Sequence, residues 1–259
     1  FQMKIKQLFA VIKLNSHLQF ADPTVQFIMI LVPLIMAPFM LPAAKIQLSA
    51  EGYIHTNGAE QVIPGLAILF SFFSIQLIIQ MFFDETIWNT WDRQQISATS
   101  LTEIITGKAV VAYLIQVFQL GTVILISVLV FKFRINGNWF AFVMIIISFA
   151  ATLTFFGIML VSWSKSSAIA LSLSNLLGIL MAGLGGSLSP VTSFPRWAKI
   201  LARIDPAYWG LLAIKKISLD HGNFATIVPH LSILWSMTLI FCLLSLIGFH
   251  FQPLKEGNN

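Results

Sequence analysis

Six apolar stretches of about 20 residues decide what this chain can fold into. They run over 24–42, 62–83, 104–131, 139–161, 167–187 and 229–249. An α-helix of about 20 residues covers the ~30 Å hydrocarbon core of a bilayer. Lipid offers no partner to a backbone N–H or C=O, so runs of this length must satisfy their own hydrogen bonds as helices. The expected fold is therefore an all-α integral membrane protein with six transmembrane helices. Pro33 and Pro38 inside the first run do not demote it, since proline is commoner in membrane helices than in soluble ones. Composition agrees: 57% of residues are hydrophobic, 10% are charged, and 23 are Phe. A soluble domain could not cover that much apolar surface. An ordinary soluble enzyme, a disordered chain and a nucleic-acid-binding domain are all excluded. The net charge of +5 does not reverse this, because the basic residues sit in ones and twos between apolar runs. The lone Cys242 excludes a disulfide framework and a cysteine zinc site.

Residues 1–22 hold Ile5, Leu8, Phe9 and Ile12 at helical spacing among Lys4, Lys6 and Lys13, the pattern of an interfacial amphipathic helix. It either anchors the chain or acts as a lever toward a cytoplasmic partner. No small-residue cleavage site follows it, so the first run reads as a retained span. Asp22-Pro23 predicts the start of that span, with Asp as cap and Pro at the first helical position.

Six spans put both termini on one side. With the N-terminus inside, Lys4, Lys6, Lys13, Arg93, Lys108, Lys165 and Lys255 are inside. Lys45, Lys132, Arg134, Arg196, Lys199, Arg203, Lys215 and Lys216 are then outside. Seven against eight decides nothing, but the basic N-terminal segment favours inside. The outer excess sits at 188–228. There Pro190, Pro195 and Asp205-Pro206 break any continuous helix, while Trp197, Ile200, Leu201, Ile204, Tyr208 and Trp209 keep an apolar face. Two short helices joined at Asp205-Pro206 satisfy both facts, forming an external re-entrant hairpin with its basic groups at headgroup level.

The segment 84–99 is polar and carries Asp84, Glu85 and Asp92, with Ile87, Trp88 and Trp91 on one side of a short helix. Ser100 and Glu103 fit a capping box for the third span. By spacing alone this is an ordinary solvated connection. Within the spans the polar groups are amides: Gln76 and Gln80, Gln116 and Gln119, and Asn175. Each glutamine pair shares a helix face. They either bond neighbouring helices or wall a translocation path. Ser174, Gly178 and Ala182 recur every four residues and mark a close packing face.

The catalytic repertoire is thin. Gly107-Lys108 is followed by Ala109 and preceded by Thr102, so no phosphate-binding loop is formed. No histidine pair has zinc-helix spacing, and no nucleophile elbow is present. A secondary carrier is disfavoured by the lack of carboxylates at mid-depth. A scaffold or lipid-modifying enzyme stays open as the alternative.

Two regions resemble a known family. Glu85-Thr86, Thr90 to Arg93, Ser100, Glu103-Ile104 and Gly107-Lys108 are similar to the segment between the second and third spans of type-2 ABC transporter permeases. Gly185-Gly186, Pro190, Phe194-Pro195, Trp197 and Asp205-Pro206 are similar to that family's hairpin before the last span. One departure is Ala98, where the family often has proline. The resemblance covers the whole chain and implies the permease subunit of an ATP-driven ABC exporter in a bacterial cell membrane, with both termini cytoplasmic. It implies a second permease subunit, identical or related. It also implies a separate ATP-binding cassette subunit that holds ATP and Mg, with no cofactor in this chain. Glu85, Trp88, Trp91, Asp92 and Arg93 would contact the cassette. Phe72, Phe73, Gln76, Gln80 and Asn175 would line the path of a drug-like, peptide or lipid-linked cargo.

Overall fold

The computed structural model describes residues 5–87 and 101–251. Among them every regular element is helical. In chain order the α-helices are α1 (Ile5–Ala21), α2 (Thr24–Ala50), α3 (Ala59–Phe73), α4 (Ile75–Ile87), α5 (Leu101–Val130), α6 (Trp139–Trp163), α7 (Ser167–Gly185), α8 (Arg196–Ala202), α9 (Pro206–Ser218) and α10 (Phe224–Phe251). Six lengths are long and apolar enough to span a bilayer: α2, α3 with α4, α5, α6, α7 and α10. The protein is a multi-pass membrane protein.

The spans differ from the expected limits for local reasons. The first continues to Ala50 because Pro33, Pro38 and Pro42 are all accommodated inside α2. Its start shifts by one residue. Asp22 Oδ1 accepts from the Thr24 amide at 3.2 Å, and Pro23 stands at the cap position instead of inside the helix. The second span is two helices, divided at Ser74. The last begins earlier, at Phe224, with Pro229 within its first turns. Asn138 and Ser166 cap α6 and α7 by accepting from the Ala141 and Ile169 amides.

The second and fourth spans form the core. Phe72 is fully enclosed, its ring edge-on to Phe149 at 6.3 Å and Phe156 at 6.4 Å. Gly157 of α6 lets Ile75 and Ile78 approach its backbone. The sixth span is fastened to α6 by Thr152 and Thr238, whose hydroxyls meet at 2.9 Å, and by Trp163 Nε1 donating to the Leu244 carbonyl. The small stripe of α7, Ser174, Gly178 and Ala182, is buried, and Gly178 sits over Phe72. This is the packing face that four-residue spacing predicts. The outer sides of α2, α5, α7 and α10 present large apolar groups such as Phe39, Leu129, Ile179 and Leu239.

The loops sort to two ends of the bundle. At one end, Tyr53 bonds Asp220 at 2.7 Å, Asn57 bonds the Phe131 carbonyl, and Lys215 pairs with Glu51 at 2.6 Å. These contacts gather the α2–α3, α5–α6 and α9–α10 connections with the α8–α9 hairpin. At the other end, Phe82 of α4 stacks on Phe249 of α10. Val11 of α1 lies against Gly107 of α5 there. The first and last helices thus share the end at which α4 stops and α5 begins.

The hairpin is more deeply seated than an interfacial element. Arg196–Ala202 and Pro206–Ser218 are its two helices, joined at Asp205-Pro206 as the sequence predicts. However, α9 buries Pro206, Ala207, Gly210, Ala213, Ile214 and Ile217. Gly210 lies against Phe149 and Ile68. Ile68 is nine residues along α3 from Ala59, about 13 Å at helical rise, so α9 packs well down the second span and not only at its rim.

Candidate functional site

The second span is buried along almost its whole length. Its partly open positions after Gln61 are Leu69, Phe73, Gln76, Gln80 and Asp84. Their spacing of four, three, four and four keeps them on one face. Phe73, Gln76 and Gln80 therefore share the seam formed by the half-buried face of the second span among its described residues. Asn175, half-buried on α7, joins them: Gln76 Nε2 donates to Asn175 Oδ1 at 2.8 Å. That bond lies within one protomer, as the interhelical reading requires. Both residues nevertheless remain at the seam. Gln80 has no hydrogen-bond partner among the described residues and differs from Gln76 in that respect. Phe72 is placed elsewhere, closed in the core, and supports the seam from behind.

The seam crosses the break at Ser74. A helix end leaves carbonyls without donors, and within a membrane these must be satisfied locally. The third span supplies the partners. Gln116 Nε2 donates to the Ser71 carbonyl at 3.1 Å, and the Ser74 hydroxyl contacts Gln119 Oε1 and the Phe70 carbonyl. Gln116 and Gln119 are buried, so they serve as interhelical bonds and not as an open wall. Their spacing signalled a shared face; it could not signal the broken helix that they serve.

At the end bearing residues 88–100, α4 and α5 are tied by Lys108. It is fully buried, donates to the Met81 carbonyl at 2.9 Å and lies 4.8 Å from the Phe82 ring centre. Lys108 falls within the expected third span at 104–131, and the structure starts α5 at Leu101, so Lys108 stands two turns inside it. A lone lysine so close to the start of an apolar run was the available signal. Of the expected cassette contacts, Glu85 falls in the last turn of α4. Trp88, Trp91, Asp92 and Arg93 lie outside the described residues, as does Ser100 of the expected capping box.

Opposite, Asp205 caps α9 by accepting from the Ala207 amide at 2.8 Å. Its other oxygen is buried without a partner. Burial pushes its carboxyl up to about 8, against the opposing pull of backbone hydrogen bonds. Nearby Glu51 behaves in the opposite way. Burial works to raise it, but the bonds from Lys215 and Thr192 outweigh that and hold it below the usual carboxylate range. Tyr53 is pushed up to about 12 by its hydrogen bond to Asp220.

A family model described as ABC-2 type transporter matches residues 6–219. The match spans α1 through α9, so it includes both the broken second span and the hairpin. The chain belongs to the ABC-2 type transporter family. No curated protein matches it. As an ABC-2 permease, the chain is the membrane transport subunit of an ABC transporter and not its catalytic domain. Such permeases work in general with an ABC ATPase.

Proposed function

We propose that this permease exports an amphipathic cargo of the drug-like, peptide or lipid-linked class, driven by a separate ATP-binding cassette subunit. The observation that carries the reading is the single open face of the otherwise buried second span. It bears Phe73, Gln76 and Gln80, with Asn175 beside them. An aromatic and two or three amides bind an amphipathic molecule mainly by area, with a few orienting hydrogen bonds. Two permeases, identical or related, would bring two such faces together around a central path. The large apolar groups on the outer sides of the spans suit lipid or that second subunit.

Segment 84–99 is the proposed coupling element, with Glu85, Trp88, Trp91, Asp92 and Arg93 meeting the cassette. Lys108 supports it from the membrane side by tying α5 to α4, and α1 packs on α5 beside it. Both termini and this segment would be cytoplasmic, and the α8–α9 hairpin would face outward. ATP and Mg would be held by the cassette subunit.

The test is the triple variant Glu85→Ala, Asp92→Ala, Arg93→Ala in the assembled transporter. Individual rim ion pairs are weak, so the three are changed together. The expected result is loss of cassette binding, or hydrolysis that no longer drives export. A triple variant that assembles and exports at the wild-type rate refutes the coupling assignment.

A further inference from the structure

At the hairpin end of the bundle lies a cavity of about 370 Å³, walled by the first turn of α3, the end of α7, the 3₁₀ turn at Val191–Ser193, and the helices α8 and α9. This is at the small end of ligand pockets and fits a polar headgroup. Its wall is bipolar. Glu60 is 4% exposed, and its Oε2 is buried with no hydrogen-bond partner. The backbone of Asn57, Gly58 and Glu60 and the charge of Arg134 act on the Glu60 carboxyl, yet Oε2 is left without a donor. A buried carboxyl oxygen without a donor is costly. Lys199 and Arg203 stand four apart on the α8 side, exposed, with no side-chain partner among the described residues. The third cation, Lys215, is already paired with Glu51.

We propose that this cavity binds the phosphoethanolamine headgroup of a membrane lipid, its phosphate held by Lys199 and Arg203 and its ammonium donating to Glu60. A plain anion site would not set a buried carboxyl in its wall, and a plain cation site would not present two unpaired cations. A primary ammonium carries N–H donors for the Glu60 carboxyl, whereas a quaternary ammonium carries none. The acyl chains follow from the surroundings. Val191 and Leu211 line the cavity beside its polar groups. Trp197 and Ile200 are 63% and 59% exposed on the same short helix as Lys199, and Ile204, just past its end, is 72% exposed. Chains leaving the cavity would cover that face. The site lies at one end of the bundle, away from the seam, and stands independently of the cargo proposal.

The test is native mass spectrometry of the full chain in mild detergent, titrated with phosphatidylethanolamine, phosphatidylcholine or phosphatidylglycerol of identical acyl chains. The expected result is about tenfold tighter binding of phosphatidylethanolamine than of either competitor, the size of one charge-assisted hydrogen bond. Glu60→Gln should bring phosphatidylethanolamine to the level of phosphatidylcholine. The double variant Lys199→Gln, Arg203→Gln changes only exposed side chains, so it folds, and it should weaken binding of all three lipids by about tenfold, since they share the phosphate. Equal binding of the three lipids by the wild type overturns the proposal, as does a double variant that binds phosphatidylethanolamine as tightly as the wild type. Soluble phosphoethanolamine is the further arm: if it displaces the lipid at equal concentration, the site recognises the free headgroup and the lipid assignment is overturned.

Discussion

Replacing Gln76 and Gln80 with leucine, singly and together, separates a transport role from a packing role. The structure assigns the two residues different costs. Gln76 donates to Asn175 across the seam at 2.8 Å. Interhelical hydrogen bonds in membranes average about 0.6 kcal/mol and reach ~1.7. Asn175 is only half-buried, so it can regain a partner. Gln76→Leu should thus lower stability by about 1 kcal/mol or less. Gln80 makes no hydrogen bond among the described residues, so Gln80→Leu should stay within ~0.5 kcal/mol of wild type. For cargo the two should act alike. Each removes one amide from the same face, and a hydrogen bond of about 1 kcal/mol is worth about fivefold in affinity. The assay is cargo-stimulated ATP hydrolysis by the permease–cassette complex in nanodiscs, over a panel of amphipathic compounds, beside a thermal-unfolding series. Both variants should shift half-stimulating concentrations by about fivefold for part of the panel, with only Gln76→Leu less stable. If Gln80→Leu keeps every half-stimulating concentration while its stability is unchanged, the seam does not line the path.

Three further outcomes follow from the packing. Gln116→Leu should cost about 1–3 kcal/mol, because it strips the donor from the Ser71 carbonyl at the helix break; thermal unfolding of the purified variant checks this. Gly178→Leu should cost about 1–3 kcal/mol by forcing α7 away from Phe72, while Gly178→Ala should be milder, since its Cβ would meet Phe72 Cβ at 3.2 Å. The third concerns Asp205, whose folded pKa of about 8 lies above its ordinary 3.8. Between those values the folded state holds a proton that the unfolded state has released, so hairpin stability falls as pH rises through that window. Asp205→Asn keeps a capping side chain and should flatten the pH dependence of hydrogen exchange in α9; an unchanged slope refutes the assignment.

The spans were legible because lipid forces backbone satisfaction within each segment, and apolar runs record that demand directly. The α8–α9 division was legible for a similar reason, since Asp205-Pro206 is both a break and a cap. The depth of α9 was not. Its apolar face at Leu211, Leu212 and Ile214 is equally suited to an interface. What seats α9 is Gly210, a missing side chain that permits contact with Phe149 and Ile68. The break at Ser74 was hidden likewise, because no Pro or Gly stands there and the partners come from α5. Among the path candidates, the amide spacing found the open face but could not tell Phe73, which lies on it, from Phe72, which turns into the core.

The central claim is division of labour: this chain carries the path and another chain hydrolyses ATP. The direct measurement is ATP hydrolysis by the tagged full chain isolated from its own membrane, before and after stripping its partners. The account predicts that an ABC ATPase co-purifies, that hydrolysis accompanies it, and that the stripped chain is inactive until the ATPase is returned. Specific hydrolysis by the stripped chain, or isolation under mild conditions with no ATPase attached, would contradict it.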